Sequence, residues 1–154
     1  MPGPDDIHPY SDGEINAVIQ RLLRQRDFLE LVGRFRAGRV YRLAPPLVRF
    51  WVALQMRLAF GRIQSVSELQ SRMAPLVSRG LRSTTTNIFW SGLDNLDNST
   101  PCLFLSSHRD IVLDPALVNY ALYESGMDTT RIAIGDNLTD NPMVADLMRL
   151  NKSF

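Results

Sequence analysis

The sequence contains very little cysteine, lysine or histidine, and these shortages limit the structures that it can form. The single cysteine, Cys102, excludes an internal disulfide, which agrees with a reducing compartment. Of the 17 basic residues, 16 are Arg and only Lys152 is Lys. Arg is the better bidentate binder of phosphate, although a biased genomic base composition explains the same excess.

Long apolar runs are also absent. No stretch of about 18 uncharged apolar residues occurs, so we expect no transmembrane helix. Residues 1–6, MPGPDD, are polar and acidic, which is not the pattern of a signal peptide. No internal repeat is visible in the sequence.

The bulk composition is that of a folded protein of one domain's length. The 154 residues are 45% hydrophobic and 21% charged, with a net charge of +1. Residues 1–90 hold 13 Arg and 7 acidic residues, whereas residues 91–154 hold 4 basic and 9 acidic residues. This uneven division predicts different roles for the two parts of the chain.

After a start at residues 1–10 that we expect to be disordered, residues 11–83 have the patterns of helices. Ser11 with Glu14, and Ser65 with Glu68, have the spacing of capping boxes, and apolar residues follow at helical intervals. We therefore assign residues 11–83 to a helical N-terminal region. Its predicted helices begin at Ser11, near Phe28, at Pro45 and at Ser65, the second ending near Gly38 and the last near Val77.

From residue 84 onward the pattern changes to strands and helices. Apart from Asn87, residues 84–90 are β-branched or aromatic, and apolar runs follow at 101–106 and 131–134. Helices are predicted at 115–125, ended by Gly126, and from Asn141 onward. This order predicts an α/β fold, in which residues 84–154 form a partial, mostly parallel sheet with a right-handed crossover.

The most informative segment runs from His108 to Asp114, between the second predicted strand and the next helix. A neutral imidazole can take a proton from an alcohol near pH 7, and a carboxylate on its other nitrogen fixes the tautomer. His108 follows a strand end, where α/β sheets commonly bind ligands. Asp114 precedes Pro115, which predicts an N-cap, and its carboxylate could also reach His108; Asp110 is the rival partner.

Each of these residues also has a simpler interpretation. No catalytic site is needed if Asp114 is only an N-cap, His108 is a solvated loop residue and Arg109 is a surface charge. The tripeptide at 108–110 also matches the catalytic loop of protein kinases, but that loop needs Asn five residues after its Asp, where this chain has Pro115. Because no Gly-rich phosphate loop with a strand Lys precedes it, we reject the kinase interpretation.

Four segments of the C-terminal part occur in a familiar order. They are IFWSGLDNL at 88–96, PCLFLSSH at 101–108, IAIGDNL at 132–138 and RLNKSF at 149–154. Together they resemble the glycerolipid acyltransferases, which include bacterial glycerol-3-phosphate and 1-acylglycerol-3-phosphate acyltransferases. Arg109 directly after His108 resembles the glycerol-3-phosphate branch. The resemblance covers about residues 84–154.

The resemblance implies that His108 is the general base, which deprotonates a hydroxyl of glycerol-3-phosphate or 1-acylglycerol-3-phosphate (lysophosphatidic acid). That hydroxyl attacks the thioester of acyl-CoA or acyl-carrier protein, while an Asp orients the His. The resemblance also implies that Arg109, Gly135 and Asn137 bind substrate, and that no metal or other cofactor is needed. It places the protein in phospholipid biosynthesis, peripherally bound at the cytoplasmic face of the membrane.

The chain departs from the family pattern in two respects. The family's Asp comes five residues after the His, where this chain has Leu113; Asp114 with a one-residue bulge is the preferred partner, and Asp110 stays the alternative. The family's later Gly-x-x-Phe-x-x-Arg, Glu-Gly-Thr-Arg and Pro motifs, which bind the phosphate and complete the sheet, do not occur. We therefore expect the N-terminal fragment of a longer enzyme, with a truncated catalytic domain at 84–154 and no activity alone.

The basic N-terminal part supports two further hypotheses. The helix at 46–60 carries Phe50, Trp51 and Leu54 between Arg49 and Arg57, which suits an interfacial helix on anionic lipid. A buried helix of a bundle with Arg at its rim is the alternative. An Arg-rich helical module in residues 1–83 that binds nucleic acid or protein without catalysis has the charge but no recognition motif, so we expect no nucleic-acid partner.

Overall fold

A computed structural model describes residues 8–97, 99–107, 110 and 113–154, with the side chains of residues 136 and 137 excepted. Most of this part of the chain is helical. The helices are α1 Asp12–Leu22, α2 Arg26–Ala37, α3 Arg39–Leu43, α4 Pro45–Phe60, α5 Val66–Thr84, α6 Leu113–Glu124 and α7 Pro142–Leu150. Short 3₁₀ turns lie at Leu93–Asn95 and Asp136–Thr139.

The predicted N-terminal helices are confirmed, and local hydrogen bonds explain where two of them start. The Glu14 carboxylate accepts hydrogen bonds from the Ser11 backbone N–H at 2.9 Å and from the Ser11 hydroxyl at 2.7 Å, which fixes the first turn of α1. Before α5, Ser65 Oγ accepts from the Glu68 N–H at 3.1 Å, and the Glu68 carboxylate accepts from the Gln64 N–H at 2.9 Å. Helix α3 was not predicted.

Helix α5 continues to Thr84 instead of ending near Val77. Its last turn is anchored by Leu81, which is buried. The Thr84 hydroxyl donates to the Gly80 carbonyl at 3.0 Å, and the Thr85 hydroxyl donates to the Leu81 carbonyl at 2.5 Å. The β-branched residues that predicted the start of a strand therefore close a helix, because their hydroxyls bond to the preceding turn.

The predicted partial sheet, and with it the α/β fold class, is wrong. Helix, with the 3₁₀ turns included, accounts for 64% of the residues that the structure describes, and no strand occurs among them. Leu103 and Leu105, in the middle of the second predicted strand, are 84% and 88% exposed. A strand gains stability from paired neighbours and from a covered apolar face. The apolar run at 101–106 stays irregular because its side chains are not covered in this way.

The chain divides into two compact units, residues up to Gln70 with Ala133–Phe154, and Ser71–Ile132. The first unit has its main core around α1. The buried residues of that core are Tyr10, Ile15, Val18, Ile19, Leu22, Leu23, Phe28, Phe60, Ile63 and Leu150. The apolar spacing that predicted α1 thus supplies most of this core.

A second cluster in the same unit joins α2, α3 and α4. Tyr41, Val48 and Val52 are buried together, and Val52 is fully inaccessible. Gly33 of α2 permits this packing, since a Cβ at that position would lie 3.0 Å from the Tyr41 ring and 3.6 Å from Val48. One side of α4 therefore packs against α2 and α3.

A polar cluster links α1 and α7 within the first unit. Asp146, only 6% exposed, accepts hydrogen bonds from the Tyr10 hydroxyl at 2.7 Å and from Arg21 at 2.6 and 2.9 Å. The Arg149 guanidinium lies 4.1 Å from the centre of the Tyr10 ring. Burial raises the pKa of Tyr10 above its ordinary value, and the hydrogen bond to Asp146 raises that pKa further. Nothing in the sequence predicted this cluster.

The second unit is built on the later part of α5 and on α6. The rings of Trp90 and Tyr120 meet edge to face with centroids 6.0 Å apart, and the Tyr120 hydroxyl donates to Ser78 Oγ at 3.0 Å. Gly126, with a φ of 74°, ends the α6 turn as predicted. In the described part of the chain, no helix combines the length and apolarity needed to cross a bilayer.

Candidate active site

The predicted site lies around the start of α6, and the structure describes it in part. His108, the predicted base, and Arg109, the predicted phosphate contact, lie outside the described residues. Both rival carboxylates, Asp110 and Asp114, are described, as is Ser106 on the other side of His108 in the sequence.

The prediction that Asp114 is the N-cap of α6 is wrong, because the helix begins one residue earlier, at Leu113. The capping bond is made by Asp110 instead. Asp110 Oδ1 accepts a hydrogen bond from the Leu113 backbone N–H at 2.8 Å, and the Asp110 carbonyl accepts from the Asp114 N–H at 3.1 Å. One carboxylate oxygen of Asp110 is thereby committed to the helix terminus.

Asp114 makes a different contact. Its Oδ2 accepts a hydrogen bond from Ser106 Oγ at 2.8 Å, across eight positions of sequence. Asp114 is half-buried, whereas Asp110 is exposed. This bond ties the first turn of α6 to the residue that stands two positions before His108, so the Asp114 side chain points back toward the segment that leads to the predicted base.

Both carboxylates lie at the N-terminal turn of α6. Asp114 belongs to the first turn of α6, and Asp110 binds a backbone N–H of the same turn. Unpaired N–H groups give a helix N-terminus a partial positive charge, which stabilises nearby anions. In general, an ionised carboxylate can orient a histidine and stabilise its imidazolium form.

The other predicted substrate residues belong to the first compact unit. Gly135 precedes the 3₁₀ turn Asp136–Thr139, and its carbonyl accepts the Leu138 N–H at 3.1 Å. The backbone of Asn137 lies in this turn, while its side chain is not among those described. The prediction that a helix starts at Asn141 is confirmed, since Asn141 Oδ1 accepts the Met143 N–H at 2.9 Å.

A cavity of about 180 Å³ lies in the second unit, next to the run at 101–106. Its lining includes Cys102, Phe104, Leu122 and Asp97. Hydrogen bonds from the Ser99 hydroxyl and backbone N–H lower the pKa of Asp97. Asp97 therefore takes part in the turn that it forms with Ser99.

Among the described residues, no group of three or more His, Cys, Asp or Glu side chains is placed to hold a metal ion. One residue of the site was not singled out from the sequence. That residue is Ser106, which lies eight positions before Asp114. No local sequence pattern pairs these two side chains.

Comparison with known proteins finds a family similarity in this segment. The acyltransferase family model matches residues 87–154, which contain the segment 108–114 and the Gly135–Thr139 turn. Neither the curated proteins nor the solved structures searched include a match to the chain. Residues 87–154 are therefore similar to members of the acyltransferase family.

Proposed function

We propose that the protein transfers a fatty acyl group from acyl-CoA or acyl-carrier protein to a hydroxyl of glycerol-3-phosphate or 1-acylglycerol-3-phosphate in phospholipid biosynthesis. The family match supports acyl transfer in general. The order of segments from 88 to 154, and Arg109 directly after His108, support a glycerolipid acceptor.

In the proposed reaction His108 acts as the general base. Its neutral imidazole takes the proton of the acceptor hydroxyl while the oxygen attacks the thioester carbonyl carbon. When the tetrahedral intermediate collapses, the C–S bond breaks and the thiolate leaves with the proton that His108 returns. The products are an ester and a free thiol, so atoms and charges balance without any metal or redox cofactor.

The contact between Ser106 and Asp114 is the observation on which we choose the carboxylate that orients His108. The Asp114 carboxylate binds Ser106, two positions before His108 in the sequence, whereas one carboxylate oxygen of Asp110 caps α6. We therefore assign Asp114 the role of orienting His108 and stabilising its protonated form. One residue of extra spacing relative to the family pattern does not exclude this role, because the side chain reaches back across the loop.

The substrate contacts are proposed from the family resemblance. Arg109 would bind the acceptor phosphate, for which a guanidinium is well suited. Gly135 and Asn137, in the turn before α7, would bind substrate as the resemblance implies. The partners in the reaction are the acyl thioester and the phosphorylated acceptor.

The test is an acyl-transfer assay on the complete product of the gene that encodes these residues. Labelled acyl-CoA or acyl-carrier protein is supplied with each acceptor, and labelled glycerolipid is separated and counted. We expect transfer to at least one acceptor, and we expect His108→Ala to reduce kcat by about 10² to 10⁴-fold, the usual contribution of a general base.

The 154-residue chain assayed alone is expected to show no turnover, because the motifs with which the family binds the phosphate do not occur in it. The proposal fails if the complete product transfers no acyl group from either donor. It also fails if His108→Ala retains wild-type kcat while circular dichroism shows that both proteins are folded.

A further inference from the structure

Helix α4 has two apolar stripes, and only one of them is covered. Val48, Val52 and Phe60 are buried at intervals of four and eight residues. The uncovered stripe follows the spacing i, i+3, i+4, i+7 and i+11, which places its members on one side of a helix. It consists of Leu47 (71% exposed), Phe50 (72%), Trp51 (48%), Leu54 (48%) and Leu58 (76%).

Neighbouring helices extend this apolar surface. Leu43, at the end of α3 and two residues before α4, is 85% exposed, and Phe35 near the end of α2 is 91% exposed. The Arg36 guanidinium lies 5.8 Å from the centre of the Trp51 ring, so the end of α2 borders the stripe. We call Leu43, Leu47, Phe50, Trp51, Leu54 and Leu58 the interfacial face.

The segment that carries the interfacial face is strongly basic. Residues 31–67 contain seven Arg and no Asp or Glu. Arg36, Arg39 and Arg42, at the end of α2 and in α3, are exposed, as is Arg57 beside the stripe. A face with large apolar side chains bordered by cations is the composition that binds at an anionic lipid surface.

The same charge argues against a second copy as the occupant. A symmetric dimer places the same patch on both sides of the contact, so the Arg residues of one copy would face those of the other. No acidic residue in 31–67 is present to pair with them. Anionic phospholipid headgroups supply the missing negative charge, and acyl chains supply the apolar partner.

We propose that the interfacial face docks the protein on an anionic bilayer surface, with the α4 stripe inserted at the level of the headgroups and upper acyl chains. Helix α4 lies in the plane of the interface, with Arg39, Arg42 and Arg57 at the phosphates. This inference stands on the surface of α2, α3 and α4 and does not depend on the proposed acyl transfer.

The experiment is sedimentation of the full chain with vesicles of phosphatidylcholine that contain either no phosphatidylglycerol or about one third of it. The test variant is Leu47→Gln/Leu54→Gln/Leu58→Gln, because Gln preserves helix propensity while removing apolar surface. The control is Leu103→Gln/Leu105→Gln, which removes two apolar side chains that are 84% and 88% exposed and lie outside the interfacial face. We expect wild-type binding to require phosphatidylglycerol, the α4 variant to bind at least about tenfold more weakly, and the control to bind like wild type.

Tryptophan fluorescence locates the contact. In Trp90→Phe the remaining Trp51 is expected to shift to shorter wavelength on anionic vesicles, whereas in Trp51→Phe the remaining Trp90 is expected not to shift. Equal vesicle binding by the wild type and the α4 variant, or a shift confined to Trp90, overturns the proposal. So does a concentration-dependent dimer that the α4 variant abolishes without vesicles, or retention on DNA with no binding to vesicles.

Discussion

At the scale of residues, the two acidic side chains at the start of α6 have different partners. Asp110 binds the Leu113 N–H and so caps the helix, while Asp114 binds Ser106. An Asn at an N-cap is about as effective as an Asp, since either side-chain oxygen accepts the backbone N–H. Substitution to Asn at each position therefore removes the charge with little change in shape, which separates a structural role from a catalytic one.

We predict that Asp114→Asn reduces kcat of the complete gene product by about 10²-fold or more, because an amide cannot stabilise the imidazolium of His108. The matched Asp110→Asn variant should keep its kcat within about threefold of wild type, because Asn retains the capping bond. The measurement is steady-state acyl transfer with saturating donor and acceptor. A larger loss in Asp110→Asn than in Asp114→Asn would reverse the assignment of the two carboxylates.

At the scale of elements, the helices were predictable because their signals are local. The capping bonds of Ser11 and Ser65, the buried apolar spacing of α1 and the stop at Gly126 each lie within a few residues of sequence. Strands differ, because their stability depends on a neighbour that no local pattern specifies. The run at 101–106 has strand composition, yet Leu103 and Leu105 remain exposed.

The polar cluster between α1 and α7 gives an element-scale prediction about pH. Burial and the bond to Asp146 raise the pKa of Tyr10, so the folded state favours the neutral phenol more than the unfolded state does. Stability from Tyr10 is therefore fully present below the unfolded pKa of about 10, and is lost as the pH rises through the higher folded value. We predict that urea midpoints of the wild type fall more steeply above about pH 10 than those of Tyr10→Phe.

The Tyr10→Phe variant should also be less stable than wild type at neutral pH by about 1 kcal/mol, because the buried bond to Asp146 is lost. Tyr123→Phe serves as the control, since Tyr123 is 37% exposed and lies outside the cluster. If the urea midpoints of Tyr10→Phe and wild type fall equally steeply at alkaline pH, the neutral Tyr10 hydroxyl does not contribute to the link between α1 and α7.

At the scale of the whole molecule, the sequence predicted the family more accurately than the fold. The segment from His108 to Asp114 and the runs around it carry chemical identity, and the family match at 87–154 rests on the same residues. The sheet predicted for those residues depends on contacts between distant segments, which sequence spacing does not encode. The bond from Ser106 to Asp114 and the Tyr10–Asp146 bond were missed for the same reason, as they join residues 8 and 136 positions apart.

The net charge of +1 conceals a strong segregation of charge. Residues 31–67 have seven Arg and no acid, while the residues from 91 to 154 hold nine acids and four bases. A binding surface responds to charges within about one Debye length, roughly 8 to 10 Å near physiological ionic strength, and hardly to the net charge of the molecule. A nearly neutral protein can therefore bind an anionic surface through one part of its structure.

We predict that binding of the wild-type chain to anionic vesicles falls by at least about fivefold when NaCl is raised from about 0.05 M to 0.5 M, because salt screens the attraction of Arg to lipid phosphate. Arg39→Gln/Arg42→Gln should bind more weakly at low salt and show a shallower dependence on salt. Arg79→Gln/Arg82→Gln removes two exposed Arg with the same spacing from α5, outside the basic segment 31–67, and should behave like wild type. Because both double variants change the net charge equally, equal losses of binding would show that total charge controls the attraction, and would contradict a local contact through the interfacial face.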